Sequence, residues 1–361
     1  MNSNMVSTEA SPTLSGYGHY VALKRFIIIV QLFMLMVLIV ISVSLGSVNI
    51  PFFDTLNILL TPKDISRYHS IVLGVRLPQT LTAIVAGSGL AVSGAVMQII
   101  LQNPLGSPFT LGLSNAAAFG AAFSVMILGT GVMHSTGADA ITIMAPYKTT
   151  LSAFSFSLIS AGIILALARI KKASPEVMLL TGVTLNSLFV AGTMFLQYFA
   201  DDVQLAAMVF WTFGDAGRAS WSELGIMTVV TLAAICYFLF NKWHYNALNM
   251  GDETAQGLGV PVDRVRMMGM VAASLVTAVS ISFIGVISFV GLVAPHITRR
   301  LVGEDYRFFL PASILTGGLL LLSSDIVARL ILAPRVLPVA ILTAFLGAPV
   351  FIYLLITGYR R

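Results

Sequence analysis

Two ionisable residues, Asp325 and Arg329, lie within an apolar segment of the sequence, residues 310–331. Ionisable groups inside a membrane-spanning segment carry the coupling ion in carriers driven by protons or sodium. The spacing of four residues on a helix also favours a salt bridge between the two side chains themselves. Two hypotheses follow, an ion relay and a self-paired salt bridge, and we favour the salt bridge.

Other residues with catalytic or metal-binding chemistry do not form a recognisable constellation. No phosphate-binding loop of the G-x-x-x-x-G-K-[ST] type is present, and none of the six lysines follows a glycine. No serine, histidine and aspartate set occurs in a nucleophile-elbow context. We therefore predict that the chain is not an enzyme and binds no metal or cofactor by itself. The five histidines lack metal-ligand spacing: His19, His69, His134, His244 and His296.

The composition is that of an integral membrane protein. Of 361 residues, 57% are hydrophobic and only 10% are charged, and the mean hydropathy is +0.92. A soluble domain is about one quarter charged. The net charge of +5 comes from basic residues scattered at the ends of apolar segments, and they are not clustered with aromatic residues on one face. Nucleic acid is therefore not an expected partner.

Ten segments are long and apolar enough to be predicted as membrane-spanning helices. The interval 265–301 is open to two interpretations, because it fits either one long tilted helix or two short helices that turn at Gly285. The ten segments are 26–45, 78–100, 109–129, 149–168, 178–199, 222–240, 265–283, 286–301, 310–331 and 338–357.

The distribution of lysine and arginine decides between these interpretations. With ten spans and an inner amino terminus, thirteen of the 20 basic residues fall on the inner side and seven on the outer side, as the positive-inside rule requires. Merging the doubtful pair would move the cluster Arg299, Arg300 and Arg307 outside. We predict both termini in the cytoplasm, a cytoplasmic tail at 1–25 and one transmembrane domain at 26–361. The seven outer residues are Lys63, Arg67, Arg76, Lys148, Arg218, Arg329 and Arg335.

A short charged segment, GDETAQGLGVPVDRVR at 251–266, interrupts the apolar pattern on the predicted cytoplasmic side. Asp252 and Glu253 favour a helix start, Gly257 and Gly259 favour its end, and Pro261 prevents its continuation. A helix of about two turns is marginal by itself in water. We therefore expect it to dock on another protein, although a solvated loop would also account for the pattern.

Small residues are dense in 83–95 and 112–122, the second and third predicted spans. Two hypotheses stay open here: close packing of helices in lipid, or a wide path for a bulky solute. Between these spans the stretch QNPLGSP at 102–108 must break the helix, because it contains two prolines. The candidate path or packing residues are Gly87, Gly94, Gln98, Asn103, Pro104 and Gly112.

Several long stretches, in the same order, are similar to one transporter family. They are RLPQTLTAIVAGSGL and its continuation through 76–122, GDETAQGLGV at 251–260, SFVGLVAPHITRRLVGEDYRFF and its continuation through 288–331, and GAPVFIYLL at 347–355. Together they resemble the FecCD-type permeases of ABC importers for iron-siderophores, haem and cobalamin. The resemblance runs along most of the chain.

The resemblance implies an all-α integral membrane protein with about ten spans and the type II ABC importer permease fold. It implies a second permease copy or a paralogous permease as partner, two cytoplasmic ATPase subunits that bind ATP and Mg, and an extracytoplasmic substrate-binding protein. The segment at about 246–266 would contain the helices that couple to the ATPase. Its coupling residues would be Gly251, Asp252, Glu253, Ala255, Gly257, Leu258 and Gly259.

Binding-protein docking in the family uses arginines of the outer face, and Arg76 and Arg329 match those positions. The alternatives from the residues themselves are an interfacial arginine at 76 and the pair with Asp325 at 329. The sequence departs from the family pattern at four positions, where arginine, a basic residue, glutamate and glycine are usual. These are Gln79, Gln102, Leu337 and Ala340.

The function predicted from the resemblance is import of a ferric siderophore across the bacterial cytoplasmic (inner) membrane, with energy supplied by a separate ATPase. Cobalamin and haem are the alternative cargoes. An ion-coupled secondary transporter is the alternative from a different class, because Asp325 lies within a span. The cargo itself is not readable from the residues.

Overall fold

The computed structural model describes residues 12–46, 50–60, 68–133, 141–143, 146–171, 173–333 and 336–358. Within these ranges the chain is almost entirely helical, as predicted. The α-helices are α1 Pro12–Ser44, α2 Phe52–Leu60, α3 His69–Ile100, α4 Leu113–Met126, α5 Pro146–Ile170, α6 Pro175–Phe199, α7 Asp202–Thr212, α8 Trp221–Phe240, α9 Lys242–Leu248, α10 Asp252–Gly257, α11 Val262–Ile284, α12 Val290–Val302, α13 Tyr306–Leu330 and α14 Val339–Gly358.

Each of the ten predicted spans coincides with one of these helices. In the described ranges, seven of the ten are long and apolar enough to cross a membrane: α1, α3, α5, α6, α8, α11 and α13. Of the other three, α4 has 14 residues and α12 has 13, which is shorter than a ~20-residue crossing, and α14 has 20. The integral membrane class predicted from composition is confirmed.

The interval 265–301 forms two helices, as the charge distribution predicted. α11 ends at Ile284, and Gly285 follows with φ +81°. A side chain at 285 would also meet the carbonyl oxygen of Trp211, which lies 2.8 Å from an ideal Cβ. Phe289 adopts φ +65° immediately before α12 begins at Val290. Left-handed backbone on both sides of residues 286–288 prevents one continuous helix.

The centre of the bundle is α3, which is buried along most of its length and packs against α11, α12 and α13. Its small side chains permit this close approach. The start of α3 is irregular, because a π-helical stretch at Val72–Arg76 follows its first three residues. Trp221, at the start of α8, donates from Nε1 to the carbonyl oxygen of Leu73 within that stretch, at 3.0 Å. The π-helical turn is therefore fixed by a tertiary contact.

Several features of the fold were not predicted from the sequence. α1 begins at Pro12, inside the predicted tail 1–25. α2 and α7 are short helices between spans, and α7 starts with a capping box formed by Asp201 and Gln204. A two-stranded antiparallel hairpin, β1 Gly131–Met133 and β2 Ile141–Ile143, joins α4 to α5 and contacts α7. The hairpin is a small exception to the predicted all-α fold.

We name the two ends of the bundle by what lies there. At the Arg76 end the last turn of α1 contacts the start of α3, and at the α10 end α10 contacts the turn after α3. Six basic residues that entered the charge distribution lie outside the described residues: Lys63, Arg67, Lys172, Arg335, Arg360 and Arg361.

Candidate functional site

The predicted short helix in the charged segment is present as α10, whose bounds follow from its glycines. Gly251 precedes it with φ +101°, and Gly259 ends it with φ +81°. The amide of Val260 donates to the carbonyl of Ala255 at 3.0 Å, and the amide of Gly259 donates to Gln256 at 2.9 Å. This pair of bonds is a Schellman motif, which satisfies carbonyls at the helix end.

One face of α10 is held by the bundle and the other is exposed. Ala255 has no exposed surface, whereas Glu253, Gln256 and Gly257 are exposed. Leu258, just after the helix, is 67% exposed. The exposed face of α10 therefore combines a carboxylate with an apolar side chain, in a form that a protein partner can contact.

A buried arginine connects α10 to the ends of two membrane helices. Arg266, in the second turn of α11, donates from Nη2 to both carboxylate oxygens of Asp252, at 2.9 and 3.0 Å. Its Nε donates to the carbonyl of Ile100, the last residue of α3, at 2.6 Å, and its Nη1 donates to the carbonyl of Ala173 at 3.2 Å. The Arg266 side chain is only 2% exposed, so these acceptors replace the water that the charge loses on burial.

Sequence reasoning treated Arg266 only as a positive charge on the inner side. The signal that could have identified it is its position, because a charged residue so close to an apolar helical run needs a partner. Gln102 joins the same group, because its Nε2 donates to Asp252 Oδ1 at 2.6 Å. Gln102, which stands where the family pattern has a basic residue, thus contacts the segment that the resemblance predicts to couple to an ATPase.

A cavity of about 410 Å³ lies beside α10, and three predicted path residues line it: Gln98, Asn103 and Pro104. Gln98 is 3% exposed, and its Oε1 accepts from Arg299 Nη2 at 3.3 Å. Its Nε2 has no hydrogen-bond partner among the described residues. Arg299 also pairs with Glu304 at 3.2 Å, so the cavity wall contains a cation and an anion together with this free amide donor.

Asp305 connects α9 to α13 at the same end. Its Oδ1 accepts from the amide of Arg307 at 3.0 Å and from Asn246 Nδ2 at 3.3 Å, and its carboxylate also pairs with the Arg307 guanidinium at 2.6 Å. Burial acts to raise the pKa of Asp305, but the hydrogen bonds from Arg307 and Asn246 outweigh it, and the pKa lies below its ordinary value.

At the opposite end, both predicted docking arginines contact the last turn of α1. Arg76 is 5% exposed, and its Nη1 donates to the carbonyls of Val43 and Ser44 at 2.9 and 2.8 Å. Gly46 makes room for it, since an ideal Cβ at 46 would lie 2.6 Å from Arg76 Nη2. The last carbonyls of a helix have no partner within the helix, and a cation near them is favourable.

The Asp325–Arg329 pair forms the ion pair that its spacing favours. Arg329 Nη2 lies 2.9 Å from Asp325 Oδ2, and the two side chains are 9% and 3% exposed. Arg329 Nη1 donates to the carbonyl of Ser42 at 3.1 Å. Gln79, where the family pattern has a second arginine, donates from Nε2 to Asp325 Oδ1 at 2.9 Å. Asp325 is thus neutralised by Arg329 and solvated by Gln79.

Two of the predicted path or packing glycines lie at helix crossings. An ideal Cβ at Gly87 would lie 2.3 Å from the carbonyl oxygen of Gly317, and one at Gly94 would lie 1.7 Å from that of Gly291. Real Cβ atoms do not approach so closely, so backbone contact between α3 and its neighbours requires glycine here. Gly112 has φ +75° before α4, against the backbone of Asn186.

The described residues contain no group of three His, Cys, Asp or Glu side chains close enough to hold a metal ion. The same ranges form a helical membrane bundle with a short exposed helix, α10, that is tied to α11 and to the turn after α3.

Residues 34–357 match the model of the FecCD transport family. The chain belongs to this family. The match covers most of the sequence, and the family predicted from the resemblance is confirmed. A permease of this family is a transport component that crosses the membrane several times.

The relatives are ABC permeases for different cargoes. A candidate ABC transporter permease of Methanocaldococcus jannaschii is 54% identical over 81% of this chain and 83% of its own length. Three permeases are each 34% identical: the hemin permease of Yersinia pestis, over 90% of this chain and 93% of its own, the vitamin B12 permease of Vibrio vulnificus, over 93% and 95%, and the Fe(3+)-citrate permease of Bacillus subtilis, over 91% and 94%.

A solved structure of a candidate metal-chelate-type ABC transporter in an inward-facing conformation has the same fold. It aligns over 94% of this chain and all of its own, with a TM-score of 0.77 and 28% identity. Together with the family match, this shows that the chain is an ABC importer permease of the FecCD family. The FecCD permease described here therefore has the predicted type II importer fold.

Proposed function

We propose that this FecCD permease moves a ferric siderophore across the cytoplasmic membrane, with energy from ATP hydrolysed on a separate subunit. The observation that supports an ATPase partner is α10, which exposes Glu253 and Leu258 on one face and is tied to the bundle through Asp252 and Ala255 on the other. ATP and Mg bind to the ATPase in this proposal, and the permease binds no cofactor. Both termini and α10 lie in the cytoplasm.

Identity alone does not choose among iron chelates, haem and cobalamin as cargo, because relatives named for hemin, vitamin B12 and Fe(3+)-citrate are equally similar. The ferric siderophore proposal rests on iron chelates being the commonest cargo that the family resemblance implies. Haem and cobalamin are the alternatives, and uptake measurements separate the three.

The other partners proposed are an extracytoplasmic binding protein and a second permease, either a copy or a paralogue. Arg76 and Arg329 are the proposed docking residues for the binding protein. Both guanidinium groups already bind α1 carbonyls, so docking would have to add to these bonds or displace them. Mutation can therefore separate a docking role from a structural role.

A secondary transporter is the competing function. It would use Asp325 as the ion-binding carboxylate. In this structure Asp325 is paired with Arg329 and accepts a hydrogen bond from Gln79, so a coupling ion would have to displace one of these partners. The ion pair favours the ATP-driven function.

The cargo experiment is uptake of ⁵⁵Fe supplied on a panel of ferric siderophores, with labelled haem and cobalamin in parallel, in cells with and without this chain. We expect loss of one ferric siderophore alone. Loss of only haem or only cobalamin uptake would overturn the cargo proposal. Uptake that survives ATP depletion and collapses with an uncoupler would overturn the ATP-driven function.

A further inference from the structure

The group formed by Asp252, Arg266 and Gln102 connects the exposed helix α10 to two inner turns that are distant in sequence. One turn follows α3 and begins after Ile100. The other follows α5 and contains Ala173. Arg266 binds the carbonyl of each of these residues and the carboxylate of Asp252 at the same time. A single side chain therefore contacts three separate parts of the chain.

The guanidinium geometry makes these contacts mutually dependent. Arg266 presents its donors in a rigid planar fork, so a shift of the Asp252 carboxylate must move the guanidinium or break the bonds. Breaking them would leave a charge in a site where the side chain is 2% exposed, which is unfavourable. A movement of α10 that carries Ile100 and Ala173 with it therefore costs less free energy than a movement that breaks these bonds.

The backbone at both turns is unusual. Only three non-glycine residues in the described ranges have positive φ, and two of them are Gln102 at +47° and Ala173 at +51°. Such conformations persist where surrounding contacts hold them. Gln102 is held by its bond to Asp252, and Ala173 by its bond to Arg266. Release of these bonds would therefore favour a change of backbone conformation at Gln102 and Ala173.

We propose that Arg266 is a positioning residue that transmits displacement of α10 to the turn after α3 and the turn after α5. The inference rests on the proposed function, since the ATPase must move α10. In a purely structural role, Arg266 would only satisfy the carbonyl at the end of α3, and the two turns would not follow α10. The reorientation of these turns, which connect α3 to α4 and α5 to α6, would then open or close the inner end of the bundle.

The experiment measures whether ATP changes the exposure of each element in the assembled complex. Cys236 is the single cysteine of this chain and is replaced by serine. One reporter cysteine is then introduced at a time at an exposed position: Gln256 on α10, Leu105 after α3, or Lys171 after α5. Maleimide labelling of each permease is followed by mass spectrometry with and without MgATP.

In the parent complex we expect MgATP to change the labelling rate at all three reporters. In Arg266→Lys the response at Lys171 should be lost and the response at Leu105 should fall, while the response at Gln256 stays. An ammonium group cannot bridge the three acceptors, and only Gln102 then still joins the turn after α3 to Asp252. In Gln102→Ala only the response at Leu105 should fall. The control is Arg264→Lys, two residues earlier on α11 and exposed, which should keep all three responses.

Three outcomes would overturn the inference. Retention of all responses in Arg266→Lys would refute the relay and leave the proposed function intact. Loss of the Gln256 response as well would mean that Arg266 only holds α10 in place. Absence of any response in a parent complex that hydrolyses ATP would refute the coupling role of α10, and with it both proposals.

Discussion

Arg76 donates from Nη1 to the carbonyl oxygen of Ser44 at 2.8 Å, and this bond fixes the end of α1 to the start of α3. The residues are 32 positions apart in the chain. The same guanidinium contacts the carbonyl of Val43, so one cation satisfies two carbonyls that a helix end leaves without partners. A residue that the family resemblance assigns to a docking surface is therefore also part of the internal structure.

The Arg76 contact predicts a loss of stability on truncation. Arg76→Ala should lower the free energy of unfolding by about 1.5–3 kcal/mol, the usual range for a hydrogen bond to a charged group. The melting temperature of the purified permease in detergent measures this change. A docking role predicts in addition a weaker affinity for the binding protein, so affinity is measured on vesicles that contain equal amounts of folded permease. Unchanged melting would contradict the structural role, and unchanged affinity would contradict docking.

The contact between Gly94 and Gly291 predicts that α3 tolerates no added methyl group at its crossing with α12. Gly94→Ala should lower the yield of folded protein, since the Cβ would lie 1.7 Å from a carbonyl oxygen. Overpacking of this kind costs about 1–3 kcal/mol or more. Gly162→Ala is the matched control, because residue 162 is exposed in α5 and its Cβ would meet no atom within 4 Å. The two variants are compared by size-exclusion chromatography, and a normal Gly94→Ala profile would refute the close approach of α3 to α12.

The exposed carboxylate of Glu253 predicts a specific defect in ATPase coupling. Glu253→Lys should lower substrate-stimulated ATP hydrolysis in reconstituted vesicles while the permease stays in the membrane, because charge reversal on the exposed face of α10 disturbs a complementary partner surface. Asp202→Lys makes the same change at an exposed position in α7 and should have normal stimulation. Equal stimulation in both variants would count against a coupling role for α10.

The lowered pKa of Asp305 predicts a stability difference that depends on pH. A carboxyl group whose pKa is lower in the folded state stabilises the protein above its unfolded pKa, and the contribution is lost as pH falls through the folded pKa. Asp305→Asn should therefore melt below the wild type at pH 7, and the difference should shrink below about pH 4, the ordinary range of aspartate. Melting curves from pH 7 to pH 3 test this, and a constant difference in melting temperature would show that the charge of Asp305 does not contribute to stability.

Hydropathy and turn chemistry were sufficient to predict much of the fold, because these signals are local. The ten predicted segments all coincide with helices, and the division of 265–301 agrees with Gly285, whose positive φ ends α11. The bounds of α10 follow from Gly251 and Gly259 in the same way. The short helices α2 and α7 were missed because they are too short to give a spanning signal.

The sequence by itself determined the membrane class, the family and the segment that forms α10. It also determined the pairing of Asp325 with Arg329, because these two residues are four positions apart on one helix. Only the tertiary structure decided which residues hold the ends of the bundle together. Arg266 and Ile100 are 166 positions apart, and Gln79 and Asp325 are 246 apart. Such contacts depend on how helices pack across the whole chain, and neither periodicity nor composition over a short window contains that information. The role of Arg266 therefore became visible only when α3, α10 and the turn after α5 were seen side by side.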